Sequence, residues 1–286
     1  MNLGILDFGN VPLGQTVVET IFETVECAKL AEKYGFSRYW LAEHYSSQLA
    51  WRRADLIINL VAGNTDRIKV GAAGVLLRYH SPFDVSQNYR TLSDLYPDRI
   101  DLGFSKGMAG PSSMDLELLS VQNRSDIKSD FNNKVLDTLS YFDNNFLNTT
   151  VGELKPECWM LGGSFHSQEF ALTHNLSFAV SLFHSKIDTM IPAKILEGFQ
   201  KNCSSDSHCN IVISAFVSEN SDRIELMNQT KRDYMDLNIC GSPDQCLFEL
   251  DKIQSIYKAD EIIILNCGQN IDEKILLLET FSKKIN

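Results

Sequence analysis

The sequence lacks the signatures of several common protein classes. No apolar run approaches the roughly 20 residues that a membrane-spanning helix needs. The first ten residues, MNLGILDFGN, contain no basic residue of the kind that begins a signal peptide. Neither of the nucleotide-binding patterns G-x-G-x-x-G and G-x-x-x-x-G-K-[ST] occurs. We therefore expect a cytoplasmic protein that does not enter a membrane.

Paired cysteines and positive charge are also scarce. Seven cysteines are present without any C-x-x-C spacing, and the pairs Cys203/Cys209 and Cys240/Cys246 are too widely spaced for a zinc knuckle. They indicate reduced thiols and predict no metal site. The net charge of −11 disfavours nucleic acid and anionic membranes as partners. A small organic ligand is the expected partner.

The stretch from Ile68 to Gly107 has the pattern of one βαβ unit. Its two ends, IKVGAAGV and RIDLGF, are apolar runs typical of buried parallel strands. Between them, Ser81-Pro82 and Pro97-Asp98 predict the start and the end of a helix. Both predicted strands end in small residues, which leave room for a large flat molecule to approach the backbone.

Eight apolar runs of this kind occur along the chain, each followed by a helical pattern. They cover residues 3–8, 37–45, 68–75, 99–104, 158–163, 176–183, 210–218 and 261–267. Strict alternation over this length favours an α/β fold with a single (β/α)8 TIM barrel, although an open sheet of eight strands stays an alternative. We expect one domain over residues 1–286, with an insertion, residues 108–125, after strand 4.

In a barrel of this kind the active site lies at the C-terminal ends of the strands. Those ends carry small, polar and aromatic residues, with no carboxylate and histidine cluster suited to a metal ion. Glu43 and His44 are adjacent, so on a strand they point to opposite faces and cannot bind one ion together.

Four segments of the sequence resemble the luciferase-like flavin-dependent oxidoreductases, the superfamily of bacterial luciferase. They are LAEHY, GAAGVLLRYHSPFDV, LYPDRIDLGFSKG and WMLGGSFHSQEFAL, in the same order along the chain. The resemblance implies a TIM barrel that binds FMN, or the deazaflavin F420, at its C-terminal mouth. The flavin ring would lie against the end of strand 3, at Ala72, Ala73 and Gly74. Relatives have a non-prolyl cis peptide there, and the matching pair is Ala73-Gly74.

The resemblance places the flavin phosphate between strands 4 and 5. Ser105 and Lys106 would bind the cofactor from the end of strand 4. Relatives have an arginine at the position of Lys106, so here the compact charge of an amine would replace a planar guanidinium. Gly163, Ser164 and Ser167 would add two hydroxyl groups and the N-terminus of a helix. General experience with TIM barrels would instead place a phosphate after strands 7 and 8. The resemblance decides for strands 4 and 5.

His44 is the predicted catalytic residue, because it matches the first histidine of the family's E-H-H motif. An imidazole at this position can donate or accept a proton during the reaction. Tyr45 replaces the second histidine of the motif, and Ser105 stands where luciferase has a reactive cysteine. His80 matches a position that is more often structural in relatives. His184 follows strand 6, where it faces either the pocket or the surface.

The resemblance implies a monooxygenase that uses reduced FMN as a cosubstrate, through a C4a-hydroperoxide, on a small organic or natural-product substrate. A separate flavin reductase would supply the reduced FMN. One alternative is an FMNH₂- or F420H₂-dependent reductase of an activated alkene, such as a dehydroamino acid in a lanthipeptide-type peptide. A second alternative is a flavin-binding protein without catalysis. A homodimer formed through early helices is expected, with the Tyr89–Leu95 face as one candidate surface.

Overall fold

The structure of this chain, a computed structural model, is a parallel β-barrel surrounded by α-helices. It describes residues 1–45, 48–106, 131–143, 154–184, 190–230 and 235–285. The predicted insertion, residues 108–125, lies outside this range. In the part of the chain that the structure describes, no helix is both long enough and apolar enough to cross a membrane.

The strands are short and almost wholly buried. They are β1 (Leu3–Asp7), β2 (Arg38–Leu41), β3 (Lys69–Leu76), β4 (Ile100–Ser105), β5 (Glu157–Leu161), β6 (Ser177–Ser181), β7 (Cys209–Val217), β8 (Ile239–Gly241) and β9 (Glu261–Asn266). All the pairings between them are parallel.

The helices cover the outside of the barrel. They are α1 (Val17–Lys33), α2 (Ala54–Ala62), α3 (Pro82–Leu95), α4 (Phe131–Asp143), α5 (Phe165–Thr173), α6 (Met190–Asn202), α7 (Ser221–Gln229), α8 (Pro243–Tyr257) and α9 (Ile271–Ser282), with a short 3₁₀ turn at Leu77–Tyr79. Side chains cap several of them. Thr16 and Glu19 form a capping box at the start of α1, and Ser81 accepts the Asp84 amide ahead of Pro82 in α3.

Eight strands close the barrel, and the ninth is an addition to its rim. The closed order is β1-β2-β3-β4-β5-β6-β7-β9, with β9 returning to β1. The short β8 pairs with the last residues of β7, beyond the point where β6 stops pairing with it. The predicted barrel is confirmed. The sequence analysis missed β8, because three residues are too few to show a strand pattern.

The interior of the barrel differs from the aliphatic packing that is common in this fold. Arg38 lies between the rings of Trp40 and Trp159, with its guanidinium carbon 5.5 and 4.7 Å from their centroids. Asp101 and Glu261 neutralise it from two sides, at 2.8 and 2.6 Å. A buried ionic and aromatic cluster therefore fills the lower half of the barrel. Most Val, Ile and Leu side chains pack outward against the helices, and a smaller set that includes Leu6, Val212 and Ile263 packs inside with the tryptophans.

Candidate functional site

The end of β3 presents small residues at the rim of the barrel. Ala73 is half-buried and packs with the interior cluster, whereas the side chain of Ala72 is buried in the outer core. The peptide bond between Ala73 and Gly74 is cis, as predicted. A Cβ atom at position 74 would lie 2.6 Å from Leu161 Cδ1 and 2.7 Å from the Gly103 carbonyl oxygen. Only glycine fits this close approach of three neighbouring strands.

His44 follows β2 and is half-buried beside an aromatic wall at the rim. Its ring centroid lies 4.8 Å from that of Phe8, which in turn lies 6.2 Å from Phe183. His184 stacks obliquely on Phe183 at 4.4 Å. Burial lowers the pKa of His44, the nearby His184 lowers it further, and Glu43 acts in the opposite direction. His44 is therefore a neutral imidazole near pH 7, able to accept a proton.

Glu43 is buried between the ends of β2 and β3. Its Oε1 atom accepts the Tyr45 hydroxyl at 2.9 Å and lies 2.5 Å from His80 Nε2, and its Oε2 atom accepts the Leu76 amide at 3.3 Å. Burial raises the pKa of Tyr45, and the charge of Glu43 raises it further. Tyr45 therefore stays protonated and donates to Glu43. Sequence reasoning missed this role of Glu43, since the contacts depend on how two strand ends meet.

The two neighbouring strand ends, of β4 and β5, carry the predicted phosphate-binding residues. Lys106 is exposed just after β4, with its amine 5.6 Å from the Phe131 ring centroid, and Ser105 is the half-buried last residue of that strand. Ser164 caps α5 by accepting the Ser167 amide at 3.2 Å, and the two hydroxyl oxygens are 2.7 Å apart.

Two glycines shape the loop that leads into α5. A Cβ atom at Gly162 would lie 2.5 Å from Ser167 Oγ, so glycine is needed there to admit the serine. Gly163 has no atom within 4 Å of such a Cβ, and its backbone faces open space. An exposed lysine, two hydroxyl groups and an accessible helix N-terminus are a donor set that fits a phosphate. The residues present are therefore compatible with the phosphate of FMN.

Other polar residues at the strand ends have structural partners. The buried Asp7 accepts hydrogen bonds from the Gly9 amide, Thr24 and Tyr39, on the side of β1 that faces α1. His80 is bound to Glu43, in agreement with a structural role. Among the described residues no group of three or more His, Cys, Asp or Glu side chains could hold a metal ion.

Comparison with known proteins gives matches at the level of sequence. Residues 1–115 match the family described as luciferase-like monooxygenase. The chain is 34% identical over 194 residues to the protein YceB of Bacillus subtilis, across 64% of this chain and 58% of that protein. It is 34% identical over 182 residues to a luciferase-like monooxygenase of Escherichia coli K12, across 61% of this chain and 53% of that protein. The alignments thus span little more than half of these relatives.

Solved structures match over nearly the whole chain. Apo-MsnO8 has a TM-score of 0.82 at 21% identity, covering 100% of this chain and 99% of that one. The oxygenating constituent of 3,6-diketocamphane monooxygenase from Pseudomonas putida, in complex with FMN, has a TM-score of 0.75 at 14% identity, covering 100% and 98%. An F420-dependent secondary alcohol dehydrogenase has a TM-score of 0.71 at 13% identity, with the same coverage. At these identities the likeness establishes the fold.

The family resemblance carried by the four sequence segments is confirmed by these matches. Three of the four segments lie wholly within the matched residues 1–115. The sequence match over residues 1–115, together with the relatives, shows that the chain is similar to the luciferase-like monooxygenase family.

Proposed function

We propose that this chain is an FMN-dependent monooxygenase whose flavin lies across the ends of β2 to β5. One observation carries the proposal: four consecutive strand ends present His44, the small residues Ala73-Gly74, Lys106, and the Ser164/Ser167 pair, in that order around the rim. A ligand with a flat ring at one end and a phosphate at the other would meet a fitting group at each position.

The residues divide the work according to their chemistry. The phosphate would be bound by Lys106, Ser164, Ser167 and the exposed backbone at Gly163. The surface under the ring would be formed by Ala73 and Gly74, with only the backbone of Ala72 contributing. When bound, reduced FMN would supply two electrons and the site at which O₂ is activated. His44 would exchange a proton with the substrate or the oxygen-derived group, because its imidazole is neutral and faces the rim. Phe8 and Phe183 would keep water from that space.

The wider setting is part of the same proposal. It takes residues 1–286 as one barrel domain of a cytoplasmic homodimer, with reduced FMN received from a separate reductase and a small organic molecule as substrate. Monooxygenases among the relatives and structural neighbours support the reaction type. An F420-dependent neighbour of the same fold supports a second candidate, a reductase that takes hydride from F420H₂ or FMNH₂.

Ligand titration separates these candidates. The purified protein is titrated with FMN, riboflavin and F420, and binding is followed by the change in ligand fluorescence. We expect FMN to bind at least tenfold more tightly than riboflavin, since one charge-assisted contact contributes about 1.5–3 kcal/mol. Equal affinity for FMN and riboflavin would contradict the phosphate site. Preference for F420 would favour the reductase.

Oxygen reactivity provides the second measurement. FMN is photoreduced in the presence of the protein and mixed with aerated buffer, and the return of oxidised-flavin absorbance is recorded. A monooxygenase is expected to change this rate relative to free reduced FMN, and to release hydrogen peroxide when no substrate is present. Re-oxidation identical to that of free flavin would contradict oxygenation.

A further inference from the structure

Glu43 joins the strand end that carries His44 to the turn that follows the proposed flavin surface. The carboxylate is only 3% exposed and contacts three groups. Tyr45 and His80 both contact its Oε1 atom, and the backbone amide of Leu76, the last residue of β3, donates to Oε2. Glu43 thus links β2 to β3 at the level of the rim, beyond the last paired residues of the two strands.

The turn after β3 is held from two directions. Glu43 holds Leu76 and His80 on its inner side. From α4, the amine of Lys134 donates to the carbonyl oxygens of Arg78 at 3.0 Å and His80 at 3.2 Å. Gly74 precedes Leu76 by two residues, so any displacement of this turn moves the end of β3.

The charge of Glu43 also acts on the neighbouring imidazole. Two groups besides burial affect the pKa of His44: His184, from the segment after β6, lowers it, and Glu43 raises it. Replacing the carboxylate by a neutral amide removes the opposing influence, so the pKa of His44 should fall further. If Glu43 only held the turn in place and its charge did not act on His44, the pKa of His44 would not change in this variant.

We propose that Glu43 is a positioning residue of the flavin site, which fixes the end of β3 relative to His44 through His80 and the Leu76 amide. This inference rests on the proposed function, because the surface that Glu43 supports is the one assigned to the flavin ring. Glu43 itself is too deeply enclosed by Tyr45, His80 and Leu76 to serve as the group that meets substrate.

The test compares Glu43→Gln, which removes a contact at the C-terminal end of β3, with a matched change at the N-terminal end of β3. Glutamine keeps the shape and the acceptor oxygen but loses the charge that holds His80. The control is Glu32→Gln, because Glu32 accepts the amides of Asp66, Arg67 and Ile68 just before β3 begins. FMN affinity, melting temperature and the titration of His44 by NMR are measured for each protein, with the His44 signal assigned from His44→Gln.

We expect Glu43→Gln to weaken FMN binding by roughly tenfold, the value of one hydrogen bond to a charged group, and to lower the titration midpoint of His44. Glu32→Gln should change the melting temperature and leave both other quantities unaltered. His80→Asn should weaken FMN binding to a similar extent, and the double variant should lose little more than either single variant, since both act through one contact.

The outcomes separate this inference from the proposed function. A wild-type protein that binds neither FMN nor riboflavin contradicts the proposed function. Unchanged FMN affinity in folded Glu43→Gln overturns the positioning role, even if the His44 titration shifts. If Glu43→Gln does not fold, His80→Asn decides, and wild-type FMN affinity in that variant overturns the inference.

Discussion

Arg38 donates a hydrogen bond from Nη1 to Asp101 Oδ2 at 2.8 Å, inside the barrel and shielded from water. Asp101 also accepts the indole N–H of Trp40, and a second carboxylate, that of Glu261, faces the guanidinium from the other side. The charge of Arg38 is therefore needed to keep two buried carboxylates compensated, and the lower half of the barrel depends on it.

We predict that Arg38→Ala destabilises the fold by about 3–5 kcal/mol, the cost of removing one partner from a buried ion pair. The measurement is urea unfolding followed by circular dichroism. Lys201→Ala is the control, because Lys201 pairs with Glu197 on the exposed face of α6 and should unfold like the wild type. An unchanged midpoint for Arg38→Ala would show that the two carboxylates are compensated by other groups.

The sequence predicted the barrel and its rim better than its interior. Alternation of apolar runs and helices is enough to predict closure, and the eight expected strands lie at or within a few residues of the observed ones. A period of two also places Arg38 and Trp40 on one face of β2. One strand alone does not show whether that face meets the barrel interior or the helices, so the buried ion pair could not be predicted.

Contacts between distant residues account for the other differences. The cluster around Glu43 joins two strand ends and a turn, at sequence separations of 33 and 37 residues for Leu76 and His80. No local pattern encodes such a contact. The individual rim residues were predictable for the opposite reason, since each lies directly after a strand and the fold itself brings strand ends together.

The proposed contact between Lys106 and the FMN phosphate predicts the effect of Lys106→Ala. Lys106 is exposed, so solvent screening places its contribution at the lower end of the range of about 1.5–3 kcal/mol for a charge-assisted contact. FMN affinity should fall by about tenfold, with a weaker effect at high salt, while riboflavin affinity stays the same. Fluorescence titration of both ligands measures this.

Lys155→Ala is the matched control for that variant, since Lys155 is an exposed lysine at the opposite end of β5, paired with Asp143. It should bind FMN like the wild type. Equal losses of FMN affinity in both variants would indicate a general effect of net charge, and would exclude a specific phosphate contact at Lys106.

An apolar surface on α1 and α2 predicts a homodimer. Val18 and Phe22 are each 60% exposed and Leu56 is 69% exposed. The Tyr89–Leu95 face is a weaker candidate than the sequence indicated, because its apolar residues Tyr89 and Leu92 are buried and only the apolar side chain of Leu95 is exposed. Phe22→Asp should convert the dimer to a monomer in light scattering at micromolar concentration, since a charge would be buried in the interface.

Phe248→Asp is the control for dimerisation, because Phe248 is similarly exposed at 61% but lies on α8. It should leave the mass unchanged. A monomeric wild type, or a dimer that tolerates Phe22→Asp, would exclude this surface as the interface.

The last prediction concerns His44→Ala. Loss of a group that exchanges a proton in the reaction should reduce turnover by about 10²–10⁴-fold. FMN affinity should change little, because the proposed phosphate-binding residues and the end of β3 lie on other strands. The control is His174→Ala: this histidine also packs on a phenylalanine, with ring centroids of His174 and Phe170 4.5 Å apart, but at the end of α5. Its turnover should match that of the wild type.

The pH dependence distinguishes a chemical role of His44 from a structural one. Burial and the nearby His184 lower the pKa of His44 from its usual value of 6.5. At pH values between the lowered pKa and 6.5, the unfolded chain therefore binds the proton more readily than the folded chain. Stability should therefore rise with pH through that window, and His44→Ala should remove this dependence. Turnover of the wild type should fall as pH drops through the same window, because protonated His44 cannot accept a proton, and the residual turnover of the variant should lack that acidic limb. A variant with normal turnover, or one whose acidic limb persists unchanged, would assign the proton transfer to another residue.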